Sequence, residues 1–180
     1  SVVLDDSTLK GEARVSNFAK PAMRFALQLD AIDLDRYLPP GSEAKPATPG
    51  AAAGKAAEAP TDSLRALDIA GTFEAGKVKV AKLNLTAVKA TLNAKSGLIR
   101  LNPVSAKLYS GSYAGNISLD ARKQTPAIAL NEKLSAVQIG PLLMDLQGTE
   151  PLTGTANITA KLTALGSTED SIKKSLNGNL

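Results

Sequence analysis

Gly154-Thr155-Ala156-Asn157-Ile158-Thr159-Ala160-Lys161-Leu162-Thr163-Ala164 alternates without a break. Gly154, Ala156, Ile158, Ala160, Leu162 and Ala164 fall on one face of an extended chain, and Thr155, Asn157, Thr159, Lys161 and Thr163 on the other. A period of two with one apolar and one wet face is the pattern of a half-buried antiparallel strand. The same alternation runs through Ile69, Gly71, Phe73 and Ala75, and through Tyr113, Gly115, Ile117, Leu119 and Ala121.

Two longer stretches slip in parity by one residue. Leu83, Leu85 and Ala87 give way to Val88, Ala90, Leu92 and Ala94; Ile99 and Leu101 give way to Val104, Ala106 and Leu108 across Asn102-Pro103. A slip of one residue turns every later side chain to the opposite face unless a bulge absorbs it, so bulges are expected near Ala87 and at Asn102-Pro103. Neighbouring strands that bend at matched heights make a curled sheet. Gly97 after Lys95-Ser96 and Gly111 after Tyr109-Ser110 mark hairpin turns.

Helices are few and short. Pro141 leads Leu142, Leu143 and Leu146 with Gly148 behind, a proline start and a glycine stop. Ser167 is placed to cap a helix carrying Ile172 and Leu176 and ending at Asn177-Gly178, and a shorter turn begins at Asp33 and stops at Pro39. The order also repeats: a Gly-led strand (Gly11 to Val15, Gly115 to Leu119), an apolar strand, then a short helix, with Gly154 to Ile158 opening the pattern again. Such units stack into elongated architectures. The expected fold is mainly β: a curled antiparallel sheet, an open half-barrel or groove of repeated strands, with two or three short helices. Residues 1–38 read as a short β piece with a terminal helical turn, 39–60 as a flexible Ala/Pro/Gly-rich linker or loop, and 61–180 as the main antiparallel β region.

Composition narrows the chemistry. The apolar 43% of the 180 residues is aliphatic, with three Phe, three Tyr and no Trp, so each buried side chain contributes little and a thin, extended core is expected over a deep one. The net charge of +4 is spread along the chain, without the clustered basic stripe and stacking aromatics of a nucleic-acid binder. With no Cys and no His there is no disulfide, thiolate nucleophile, Cys/His zinc site or imidazole acid–base chemistry. No usual nucleophile–base pair is present, so no enzyme and no cofactor is expected. No apolar run approaches 18 residues, and no signal-peptide pattern opens the chain.

The remaining motifs have plain structural readings. Asp5-Asp6 and Asp33/Asp35 pair carboxylates, but with no His and no further cluster they read as a polar terminus and a helix start, and no metal site is expected. Ser110-Gly111-Ser112 runs from strand to strand, where a phosphate loop would run into a helix. The Asn-X-Ser/Thr triplets at Asn84, Asn116 and Asn157 lie on the polar faces of strands.

The apolar strand faces admit two readings. They bury against a second sheet or the short helices, or part of the curled sheet stays open as an aliphatic groove for acyl chains. The candidate lining residues are Leu83, Leu85, Val88, Leu92, Ile99, Leu101, Val104, Leu108, Ile117, Leu119, Ile158 and Leu162.

The runs Leu64 to Phe73, Gly76 to Val80, above all Gly97 to Gly115, and Ser175-Leu176-Asn177-Gly178 resemble the C-terminal region of AsmA family proteins over most of residues 62–180. That resemblance implies a periplasmic protein of Gram-negative bacteria, tethered to the inner membrane by an N-terminal helix absent here and involved in outer-membrane biogenesis. It further implies kinship with bridge-like lipid-transfer proteins, whose curled sheets conduct phospholipid. The expected partners are phospholipid or another envelope lipid, envelope assembly proteins, and no nucleic acid. The alternative is an interaction scaffold that assists outer-membrane protein assembly without binding lipid.

Overall fold

The computed structural model describes residues 2–4, 7–17, 21–36 and 61–180. The 39–60 segment and Asp5-Asp6 lie outside them. Ten strands form one sheet in chain order: β1 (Val2–Leu4), β2 (Ser7–Ser16), β3 (Ala22–Asp33), β4 (Asp68–Val80), β5 (Leu83–Lys95), β6 (Leu98–Leu108), β7 (Gly111–Asp120), β8 (Ala127–Gln138), β9 (Thr155–Leu165) and β10 (Asn177–Asn179). Every neighbouring pair is antiparallel except β3 and β4, which run parallel from Met23↔Ile69 to Asp33↔Lys79. That parallel pair joins the residues before the 39–60 stretch to those after it in one sheet. The sheet is curled and open, with no pairing between its first and last strands.

The helical elements are a 3-10 turn (Leu34–Arg36), α1 (Thr61–Arg65), α2 (Ile139–Gln147) and α3 (Glu169–Ser175). α2 ends where expected, at Gly148 with φ 74°. α1 was not anticipated. The cap of α3 is Thr168, one residue beyond Ser167: its side chain accepts from the Ser171 backbone N–H while the Ser171 hydroxyl serves the Thr168 N–H, a reciprocal box that Ser167 stands one position too early to make. That helix also stops at Ser175, because Asn177 to Asn179 pair with β9. The strand, strand, short-helix order is present in β2–β3 with the 3-10 turn and in β7–β8 with α2, whereas β9 leads directly into α3.

Both expected bulges are present. The β5–β6 register shifts between Thr86 and Lys89, where Ala87 has φ 49°, and the β6–β7 register shifts between Leu101 and Val104 at Asn102-Pro103. β8 carries another at Ala136 (φ 54°), whose backbone N–H donates to the Asn157 side-chain oxygen at 2.9 Å. β3 and β4 skip together at Asp30 and Gly76, where a Cβ on Gly76 would meet the Asp30 carbonyl. The irregularities in β3, β4, β5 and β8 lie at one level of the sheet, between Leu29, Ala75, Val88 and Leu134 on one side and Ile32, Val78, Leu85 and Val137 on the other. A line of bends across strands folds a sheet about an axis perpendicular to them, which is how this one curls.

The core is thin. Among the described residues, six of the ten buried apolar ones are alanines, and Val137 is the largest wholly buried side chain. Val137 clusters with Leu108 and Leu134, against which Leu85, Tyr109, Tyr113 and Leu142 of α2 pack. α2 is tied down through Asp145, which accepts from the Tyr109 hydroxyl at 2.6 Å and from the Asn84 amide at 2.8 Å.

Candidate functional site

Cross-strand register assembles the apolar face row by row. Residues directly opposite share a face, so one row reads Val15, Met23, Ile69, Ala94, Ile99, Leu119, Ile128, Ala164 from β2 to β9. The next reads Ala13, Phe25, Gly71, Leu92, Leu101, Ile117, Leu130, Leu162, and the third Gly11, Leu27, Phe73, Ala90, Val104, Gly115, Glu132, Ala160. Leu9, Leu29, Ala75, Val88, Ala106, Tyr113, Leu134 and Ile158 follow, and a last row beyond the bulges holds Ile32, Val78, Leu85, Leu108, Val137 and Ala156.

All twelve residues proposed from sequence stand on this face. Leu83 is at its far end, opposite Val80; Leu108 lies in the cluster beneath α2; Ile158 is 46% exposed on the edge strand. The other nine are half-buried. The bulges put Leu85 and Val88, and likewise Leu101 and Val104, on one side despite their odd spacing. Sequence reading did not carry Met23, Phe25 and Leu27 onto the same surface, because that depends on the parallel β3–β4 pairing. It also passed over Glu132, although the signal was there: Leu130 and Leu134 hold the apolar parity and a carboxylate stands between them.

Among the described residues no second sheet lies over this face, and α2 covers only its bulged end. Every described strand belongs to the one sheet, α2 packs at the bulged end against β5 and β8, and α3 packs on β9. Short of the last row, which is buried beneath α2, the face is an open trough of roughly 34 Å across eight strands and roughly 20 Å along them, from spacings of about 4.8 Å between strands and about 6.7 Å between rows. Two depressions are also present: one of about 320 Å³ at the end of the last row, bordered by Ile32, Asp33, Lys79 and Leu85, and one of about 450 Å³ bordered by Arg100, Asn116, Asn131 and Lys161 of the opposite face. The opposite face carries Lys89, Arg100, Asn116, Asn131, Lys133 and Lys161 into solvent.

Of the carboxylates questioned from sequence, Asp33 and Asp35 hold turns. Asp35 accepts from the Ala81 and Lys82 backbone N–H groups at 2.5 and 2.9 Å, closing the β4–β5 hairpin, and Asp33 accepts from the Asp35 N–H at 3.1 Å and pairs with Lys79 at 3.7 Å. Among the described residues no group of His, Cys, Asp or Glu is arranged to hold a metal, and no helix is long and apolar enough to cross a membrane.

A single curled sheet, apolar across eight strands on one face and polar on the other, defines a groove-type β protein. The chain belongs to the AsmA family, whose model matches residues 4–180. It is 27% identical over 167 residues to Protein AsmA of Escherichia coli (strain K12), an overlap of 86% of this chain and 27% of that relative, so it spans about a quarter of the relative's length. No solved structure matches.

Proposed function

We propose that this chain holds phospholipid or another envelope lipid on its apolar trough, in the periplasm, as part of outer-membrane biogenesis by a protein anchored in the inner membrane. The observation that carries the reading is the apolar face without a second sheet over it. Soluble proteins seldom leave so large a contiguous apolar surface unless something binds there. Its breadth of roughly 20 Å exceeds the ~15 Å of one bilayer leaflet's hydrocarbon, enough to shelter the acyl chains of a lipid. The mechanism is passive: aliphatic side chains shield the acyl chains, the headgroup stays in water at the open side, and no covalent step occurs.

A second reading rests on the sheet edges. The outer side of β2 is paired only at Ser7–Leu9 and that of β9 only at Lys161–Thr163. Among the described residues, the remainder of β2 and the Thr155–Ala160 part of β9 have no strand on their outer side, which suits a scaffold for assembling envelope proteins by strand addition. Native mass spectrometry with lipid extraction on the purified chain separates the two. Co-purifying phospholipid supports the trough; a folded, lipid-free chain that captures extended peptides supports the scaffold.

A further inference from the structure

Within the rows of the trough stands one carboxylate, Glu132 of β8, flanked along its strand by Leu130 and Leu134 and across the sheet by Gly115 and Ala160. It is 3% exposed, and neither carboxylate oxygen has a hydrogen-bond partner. One oxygen fills the space that a Cβ on Gly115 would occupy, with the Tyr113 hydroxyl against the same point. The hydroxyl lies beside the carboxylate without forming a well-directed hydrogen bond, so the group is enclosed and unsatisfied. An ionised carboxylate in such a place is costly, and the neutral acid is favoured.

Among the described residues no countercharge relieves it. β7 presents Tyr113, Gly115 and Ile117 to the site, of which Tyr113 alone can ionise; β6 presents Val104 and Ala106, β9 presents Ile158, Ala160 and Leu162, and Lys133 and Lys161 stand at the opposite parity. Burial pushes the Glu132 carboxyl above its usual range, partly offset by the Tyr113 hydroxyl, and burial together with the neighbouring carboxyl pushes the Tyr113 phenol up.

We infer that Glu132 is a proton-controlled latch in the floor of the trough: protonated, it lies over Gly115 beside Tyr113 and leaves the floor apolar; ionised, it turns outward and sets a negative charge where an acyl chain lies. This deepens the proposed function and rests on it for its consequence, that lipid is held at acid pH and released as pH rises. Gly115 is part of the device, because a side chain there removes the latch's seat.

The test uses the whole chain with dioleoylphosphatidylcholine vesicles carrying a trace of fluorescent phosphatidylcholine, measuring protein-bound lipid from about pH 5 to about pH 8.5. Retention by the unaltered chain is expected to fall with pH, roughly tenfold in affinity for each unit between the carboxyl's pKa in the loaded and empty trough. Glu132→Gln should retain lipid at the acid level throughout, and Gly115→Ala should retain little at any pH. Parallel profiles for the unaltered chain and Glu132→Gln overturn the latch. Absence of lipid from all three overturns the lipid reading instead, and thermal melting then decides the latch. A carboxyl raised in the folded state loses stability as pH climbs from the ordinary glutamate value to the raised one, so the unaltered chain must weaken relative to Glu132→Gln over that window; identical pH dependence overturns it.

Discussion

Replacing Ile117 with Asp distinguishes a trough from a core. Ile117 is half-buried in the second row, directly between Leu101 and Leu130. Full burial of such a side chain stabilises by about 1.5–3 kcal/mol, so losing a half-buried one costs about 1–1.5 kcal/mol. In an open trough the new carboxylate stays hydrated, and the lower strand preference of Asp adds less than about 1 kcal/mol. The chain should therefore remain folded, weakened by about 2 kcal/mol. An acyl chain lying over Asp must strip its water, at a cost on the order of 3 kcal/mol or more, which corresponds to at least about 100-fold weaker binding. Asn116→Asp, on the opposite face, is the control and should change neither property. Circular dichroism melting reads the first quantity and native mass spectrometry with lipid extraction the second. A folded Ile117→Asp chain that keeps its lipid refutes the trough, and outright unfolding shows that Ile117 is a covered core residue.

Val137→Ala, in the most deeply buried position of the cluster, should cost about 2–3 kcal/mol from two lost carbons and the cavity they leave, read from the denaturant midpoint. Tyr109→Phe removes the hydroxyl that joins Asp145 to the Asn84 backbone N–H, and should lower stability by about 1–2 kcal/mol and loosen α2, detected as faster amide exchange in Ile139–Gln147. Burial and the adjacent Asp145 raise the Tyr109 phenol to about 12, so its contribution is intact below about pH 10, where unfolded tyrosine begins to ionise, and is lost as pH rises toward 12; Tyr109→Phe should remove that part of the alkaline destabilisation. Ala87→Gly relieves a left-handed backbone at the β5 bulge, and should stabilise by a net ~0.5 kcal/mol once the greater freedom of unfolded glycine is subtracted, visible as a small rise in melting temperature.

The alternation of Ala156 to Ala164 and the parity slips at Ala87 and Asn102-Pro103 were decisive in the sequence, because strand faces follow from local geometry: side chains alternate, and one extra residue turns them over unless the backbone bulges. By the same rule Glu132 could have been read as an intruder on the apolar face, and the step from Ala75 to Val78 as a further irregularity. The Ala81-Lys82 hairpin was not legible, since it has left-handed backbone without glycine and is closed by the carboxylate of Asp35, 46 residues earlier than Ala81. Nor was the parallel β3–β4 pairing, which brings Met23, Phe25 and Leu27 onto the trough. Sequence by itself determined the main strands, their apolar faces and the bends at Ala87 and Asn102-Pro103, all of which depend on neighbours along the chain. Only the tertiary structure decided which strands lie side by side, that among the described residues no second sheet lies over the apolar face, and that a buried carboxyl occupies the room left by Gly115. Those depend on contacts between residues far apart in the chain, whose geometry no local period encodes.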